Sequence, residues 1–104
     1  MQDMPNLAPE ASAEVKSKLP SMYQVVVLND DYTPMAFVVQ VLMKVFRMSH
    51  LKATDIALAA HEQGQAVCGI YTKDVAETKA DSVVVAARDS GHPLKCVVEQ
   101  SSLF

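Results

Sequence analysis

The chain has 104 residues and a net charge of −3, and half of its residues are hydrophobic. A chain of this length and composition is expected to form one small domain whose core needs neither disulfides nor a metal. The nine Lys and Arg residues are scattered along the chain, which argues against nucleic-acid binding. No apolar run approaches the roughly 18 residues of a membrane span, and no secretory signal pattern is seen. We therefore expect a cytoplasmic protein without membrane or nucleic-acid partners.

The start of the chain differs in composition from the rest. Residues 1–21 carry three prolines, scattered charge and no sustained hydrophobic period. Such a segment cannot bury enough apolar surface to fold alone. We predict a flexible N-terminal extension over residues 1–21 and a core domain over residues 22–104.

The core is predicted to begin with a strand and a helix. Residues 23–28 form a short apolar, β-branched run, which indicates a buried strand. Apolar residues then repeat at helical spacing between Met35 and Phe46. Thr33 is predicted to be the N-cap of this helix, with Pro34 at its first position.

Four further elements are predicted after this first strand and helix, namely two helices and two strands. A second helix is expected from a Ser49 N-cap to a Gly64 stop, and a third over about residues 73–90 after a Thr72 cap. Strands are expected over residues 66–71, with a bulge or close approach at Gly69, and over residues 93–99. The order β-α-α-β-α-β predicts an α+β two-layer sandwich, with three helices on a three-stranded antiparallel sheet.

Polar side chains gather at the corner between the first strand and the first helix. Asn29, Asp30 and Asp31 supply oxygen acceptors for an ammonium group, and neutral His61 supplies one more through a ring nitrogen. His61 falls on the apolar stripe of the second helix, so an apolar cavity is expected beside these acceptors. A free N-terminal residue with a bulky apolar side chain would fit such a site. Two alternatives stay open, namely an acidic helix cap and a hydrogen-bonded core histidine.

An enzyme would need more than these residues supply. Asp30, Asp31 and His61 could form an acid–base set with Cys68 or Cys96 as nucleophile. However, the sequence contains no nucleophile motif and no Cys-x-x-Cys spacing, so we expect neither catalysis nor a metal or other cofactor. The two cysteines are expected to be reduced and buried, with a disulfide possible only if their strands are neighbours.

Several motifs between residues 23 and 100 resemble the ClpS family, bacterial adaptors that deliver N-degron substrates to the ClpAP protease. The motifs are Asn29-Asp-Asp-Tyr-Thr-Pro-Met35, Ala60-His61, Val67-Cys-Gly69, Val75-Ala-Glu-Thr-Lys79 and His92-Pro-Leu94. The resemblance implies the β-α-α-β-α-β sandwich already predicted. It also implies a non-enzymatic adaptor, expected to be monomeric, for proteins that begin with Phe, Tyr, Trp or Leu.

The resemblance assigns roles to particular residues. Asn29, Asp31 and His61 would contact the α-amino group, with Asp30 supporting them. The expected side-chain pocket comprises Leu28, Thr33, Met35, Val38, Ala57, Ala60 and Leu94. Tyr32, Asp74 and Lys79 would dock on the N-terminal domain of the ClpA unfoldase.

The sequence departs from the family pattern at three alanines. Ala57 and Ala60 stand where the family usually has methionine and valine, and Ala36 stands where a capping-box glutamate is usual. The alternative function is a regulatory domain that binds a peptide without delivering it.

Overall fold

The computed structural model describes residues 21–102, so the predicted extension lies outside the described residues except for Ser21. Three strands and three helices follow one another in the predicted order, β-α-α-β-α-β. They are β1 (Met22–Leu28), α1 (Met35–Phe46), α2 (His50–Gln63), β2 (Gln65–Thr72), α3 (Lys73–Asp89) and β3 (Lys95–Gln100). The predicted α+β sandwich with an antiparallel sheet is confirmed.

The first strand is the centre of the sheet. The strand order is β2-β1-β3, and β1 pairs antiparallel with both neighbours. Leu28, at the end of β1, pairs with Gln65 at the start of β2 and with Lys95 at the start of β3. The loops before α1, before β2 and before β3 therefore meet at one end of the sheet, and the candidate site lies there.

The predicted Thr33 cap of α1 is wrong. The helix begins after Pro34, which has extended φ and ψ of −62° and 140° and makes no side-chain cap. The Thr33 hydroxyl instead donates to Asp30 Oδ2 at 2.8 Å. Because this hydroxyl is held within the loop, the first N–H groups of α1 lack the oxygen that a capping threonine would supply.

The boundaries of α2 are those predicted. Ser49 Oγ accepts a hydrogen bond from the Lys52 N–H at 3.1 Å, and Gly64 ends the helix with φ of 92°. The Gly64 N–H donates to Ala60 O at 2.8 Å, which closes the last turn. Thr72 likewise precedes α3, although its side chain makes no cap hydrogen bond.

The expected irregularity at Gly69 is present. The pairing of β1 with β2 shifts between Val25, opposite Gly69, and Val26, opposite Val67, so Cys68 is the extra residue of a bulge. A Cβ at Gly69 would lie 2.5 Å from Tyr71 Oη. The glycine therefore allows the tyrosine ring to lie over the strand.

Both cysteines are free and buried, as predicted. Cys68 lies in β2 and Cys96 in β3, with β1 between them. Two strand spacings of about 4.8 Å exceed the Cα separation of a disulfide, so the strands are not placed for one. The pKa of Cys96 is raised by its hydrogen bond with Cys68 and then by burial, so this thiol stays protonated. Among residues 21–102, no helix is long and apolar enough to cross a membrane.

Candidate functional site

A cavity of about 240 Å³ opens at the end of the sheet where the three loops meet. Its walls come from the end of β1, the β1–α1 loop, the first turns of α1, the last two turns of α2 and the residue before β3. All eleven residues predicted for the amine site and the side-chain pocket line it: Leu28, Asn29, Asp30, Asp31, Thr33, Met35, Val38, Ala57, Ala60, His61 and Leu94. The chain thus gathers into one place residues that are up to 66 positions apart (28 to 94).

Asp30 is the acidic residue that shapes the loop. Its Oδ1 accepts from the N–H groups of Tyr32 at 2.8 Å and Thr33 at 2.7 Å, and its Oδ2 accepts from the Thr33 hydroxyl. Partial burial raises the pKa of Asp30, but these hydrogen bonds and the positive charge of His92 together lower it. Asp30 is therefore ionised at neutral pH, and most of its hydrogen-bonding capacity is used within the loop.

The remaining acceptors face solvent. Asn29, Asp31 and His61 are exposed, and no side-chain hydrogen bond engages any of them within the described part of the chain. The Asn29 N–H donates to Gly64 O at 2.9 Å, which ties the loop to the end of α2 and brings His61 beside it. The alternative that His61 is a hydrogen-bonded core histidine is excluded, because His61 is exposed. An acidic cap is not observed either, because no side chain caps α1.

The floor of the cavity is apolar. Ala57, Ala60 and Leu94 are between 3% and 4% exposed, so they form a buried floor. Met35, the first residue of α1, is 37% exposed and lies at the rim. Because the side chains of Ala57 and Ala60 end at Cβ, the part of the cavity next to α2 is open to a ligand.

Two residues at the site were not predicted from the sequence. Val27 lines the cavity, although its place in the apolar run of residues 23–28 indicated only a buried strand. His92 packs edge-on against Phe37, with ring centroids 4.7 Å apart, and its charge acts on Asp30. The His92-Pro-Leu94 motif was a usable signal for this second residue, since Leu94 was already assigned to the pocket.

The three predicted docking residues do not form one patch. Tyr32 is 81% exposed and follows the end of β1, whereas Asp74 follows Thr72, which pairs with Met22 at the start of β1. The seven residues of β1 separate these ends by roughly 20 Å. Tyr32 therefore lies at the cavity end of the molecule, and Asp74 lies at the opposite end.

Lys79 is largely engaged inside the molecule. Its Nζ donates to Val45 O at 3.0 Å, at the C-terminal end of α1. The same ammonium lies 5.8 Å from the Phe46 ring centroid and 5.3 Å from that of Tyr71. A cation at a helix C-terminus is favourable, so Lys79 fastens α3 to α1.

This geometry suits one kind of ligand. An exposed carboxylate, a carboxamide and an imidazole stand beside a buried apolar floor, which favours a cation joined to an apolar group. Within residues 21–102, no group of three or more His, Cys, Asp or Glu side chains is placed to hold a metal ion.

Comparison with known proteins agrees with the resemblance read from the motifs. Residues 18–97 match the family model described as ATP-dependent Clp protease adaptor protein ClpS. The ClpS adapter proteins of Burkholderia mallei and Burkholderia pseudomallei are each 53% identical over 88 residues, which is 85% of this chain and 85% of theirs. The corresponding protein of Burkholderia thailandensis is 52% identical over the same length.

A solved structure shares both fold and sequence. Agrobacterium tumefaciens ClpS2, in a structure bound to L-phenylalaninamide, has a TM-score of 0.79 and 41% identity, covering 80% of this chain and 100% of that one. The family model spans well over half of the chain, and the relatives are more than half identical to it. The chain therefore belongs to the ClpS family of ATP-dependent Clp protease adaptor proteins, which are adaptors rather than enzymes.

Proposed function

We propose that this adaptor binds proteins by their first residue. The free α-ammonium group would lie among Asn29, Asp31 and His61, and a Phe, Tyr, Trp or Leu side chain would fill the cavity. The observation that carries the proposal is that exposed acceptors and a buried apolar floor share one cavity of about 240 Å³. The ligand of the related ClpS2 structure, L-phenylalaninamide, combines the same two groups, a free α-amine and an apolar ring.

Each of the three exposed side chains would accept one hydrogen bond from the ammonium group. Asp31 supplies a carboxylate oxygen, Asn29 a carboxamide oxygen and His61 a ring nitrogen, so three N–H donors of an ammonium can each find a partner. Charge-assisted hydrogen bonds of this kind are about twice as strong as neutral ones. Asp30 adds negative charge and holds the loop in shape through Tyr32 and Thr33.

The free amine is therefore required, and this can be tested directly. Fluorescence anisotropy would compare a labelled peptide that begins with Phe with the same peptide after N-acetylation. We expect roughly tenfold to hundredfold weaker binding after acetylation, because the acceptor cluster is then left without its donor. Equal affinity for the two peptides would refute the proposal.

A matched pair of variants locates the effect. Asp31→Asn removes the charge at the cavity, whereas Asp55→Asn removes an equivalent exposed charge from α2 outside it. Only the first should weaken binding of the Phe peptide. If both variants weaken binding equally, the site is not where we place it.

We further propose that the protein acts in the cytoplasm as a monomer and delivers its ligands to the ClpA unfoldase of ClpAP. The family description supports a role with the Clp protease, and the exposure of Asp74 leaves it free to contact the ClpA N-terminal domain. Residues 1–21 would serve as the segment that the unfoldase engages.

Delivery is tested by ClpAP degradation of a fluorescent substrate that begins with Phe. Asp74→Lys and deletion of residues 1–21 should each abolish delivery while preserving Phe-peptide binding. Asp81→Lys, also exposed on α3, is the control. Lys79 is a poor choice for this test, because its loss would also release α1. Normal peptide binding without any acceleration of degradation by the unaltered protein would favour the non-delivering regulatory domain.

A further inference from the structure

We propose that Met35 is an oxidation site, at which conversion of its thioether to the sulfoxide by a peroxide weakens the apolar ligand site. The oxidation itself depends only on the exposure of the side chain. Its effect on binding rests on the proposed function. The two parts are therefore tested by separate measurements.

Met35 is the methionine that solvent reaches most easily in the described part of the chain. It is 37% exposed, whereas Met22, Met43 and Met48 are half-buried. Met43 and Met48 also pack against the hydrophobic core. Because a peroxide must reach the sulfur atom, Met35 should react before Met43 and Met48.

The position of Met35 can accommodate the oxidised side chain. It is the first residue of α1, and within the described residues the N–H groups of Met35 and Ala36 have no hydrogen-bond partner, whereas those of Phe37 and Val38 donate to Pro34 O. No side chain caps this end, and no acidic residue lies in its first turn. Helical side chains point back towards the N-terminus, so a sulfoxide oxygen at Met35 lies near donors and at the positive end of the helix. The fold is thus expected to tolerate this oxidation.

The reaction balances with hydrogen peroxide as the oxidant. A lone pair on Sδ attacks one peroxide oxygen, the O–O bond breaks, and an S–O bond forms. The sulfur loses two electrons, and the other peroxide oxygen leaves as water after proton transfer. Methionine sulfoxide reductases reverse the step, since their thiols are oxidised to a disulfide as the sulfoxide oxygen leaves as water.

The oxidised side chain of Met35 weakens ligand binding in either orientation of its new oxygen. If the new oxygen bonds to the N–H groups that open α1, the thioether leaves the cavity rim opposite Ala57 and Ala60. If it points into the cavity, an apolar ligand side chain must cover a polar group that lacks a partner. Both orientations weaken binding, and we expect a loss of roughly tenfold for a peptide that begins with Phe.

The experiment treats the full chain with hydrogen peroxide and samples it over time. Peptide mapping by mass spectrometry follows the gain of one oxygen at each methionine, and anisotropy follows binding of the Phe peptide. Treated protein is then incubated with the two methionine sulfoxide reductases and dithiothreitol, or with dithiothreitol alone to reverse any thiol oxidation. Met35→Leu and the matched control Met48→Leu are each compared with their own untreated samples.

We expect Met35 to be oxidised before Met43 and Met48, with affinity falling as its sulfoxide accumulates. The reductases should restore binding, dithiothreitol alone should not, and treatment of Met35→Leu should change its affinity less than twofold. If Met35 is oxidised no faster than Met43 or Met48, the proposal that Met35 is the oxidation site is refuted. An equal loss in treated Met35→Leu, or unchanged affinity once Met35 is fully oxidised, overturns its effect on binding. If untreated protein does not bind the Phe peptide, the proposed function fails, while the order of oxidation still decides whether Met35 is the reactive site.

Discussion

Under the proposed function, replacing Ala57 by methionine should narrow the preference of the cavity for aromatic first residues over leucine. Ala57 and Ala60 are buried in the floor of the cavity, and neither extends beyond Cβ. A Phe side chain can occupy the space above them, whereas the shorter Leu side chain leaves part of it empty. Unfilled space forfeits dispersion contacts, because the atoms that line it have no partner on one side.

The size of the effect follows from the cavity and the ligands. A Phe side chain has three more carbon atoms than Leu, and at about 0.8 kcal/mol per buried methylene they contribute up to about 2.4 kcal/mol, or roughly fiftyfold in affinity. Methionine at position 57 adds three heavy atoms to the wall and takes up part of this space. We therefore expect the ratio of the Leu to the Phe dissociation constant to fall by roughly threefold to tenfold.

Anisotropy titrations with peptides that differ only in a first Phe, Tyr, Trp or Leu measure this ratio. Ala59→Met is the matched control, since residue 59 lies on α2 but does not line the cavity. Denaturant midpoints monitor overpacking, which costs about 1–3 kcal/mol where a core cannot adjust. If Ala57→Met does not fold, Ala60→Val tests the same direction with a smaller change. Unchanged affinity ratios in a folded variant would refute the argument.

Three further predictions concern stability. Ala36→Glu places a carboxylate in the first turn of α1, which has none, and should stabilise the fold by about 0.3–1 kcal/mol through the helix dipole. A melting temperature that does not rise at low salt would contradict this. Lys79→Met removes the hydrogen bond to a carbonyl of α1 and should cost about 1–2 kcal/mol in urea denaturation, whereas Lys73→Met, whose ammonium only lies over a ring, should cost under about 0.5 kcal/mol. Equal losses would show that the α1 contact is unimportant. The lowered pKa of Asp30 means that its charge contributes stability above pH 3.8, and that this contribution is lost as pH falls through the lower folded-state value. Asp30→Asn should therefore destabilise the protein at neutral pH by more than it does well below pH 3.8, and an equal difference at both pH values would be the contrary result.

The order of elements could be predicted from the sequence because local signals agreed with the packing. The Ser49 cap and the Gly64 stop bound α2 with the expected contacts, and Gly69 marks a bulge as its lack of a side chain indicated. The strand order could not be predicted this way, because pairing between distant strands has no local signature. This order is what separates Cys68 from Cys96 by β1.

The prediction that Thr33 caps α1 was wrong because the Thr33 side chain bonds to Asp30 instead of to the start of the helix. Residue type alone makes Thr33 a good N-cap, and Pro34 after it strengthens the pattern. The Asp30 carboxylate, three residues earlier, offers an ionised acceptor for both the N–H and the hydroxyl of Thr33. Both groups of Thr33 are turned towards this carboxylate, so the side chain is not directed at the first N–H groups of α1, and the helix begins without a side-chain cap.

The same hydrogen bonds explain how two adjacent carboxylates come to serve different purposes. Asp30 and Asp31 are chemically identical, so their residue type and spacing assign both to ligand binding. In the folded loop, Asp30 accepts hydrogen bonds from the N–H groups of Tyr32 and Thr33. Asp31 lines the cavity, is exposed, and makes no side-chain hydrogen bond within the described residues. A loop held by an internal carboxylate keeps the exposed acceptors in position before any ligand arrives, and binding then needs less ordering of the protein. Unpartnered acceptors beside an apolar floor are costly to leave unmatched when a ligand closes over them. Under the proposed function, this cost makes the free amine the group that discriminates between ligands.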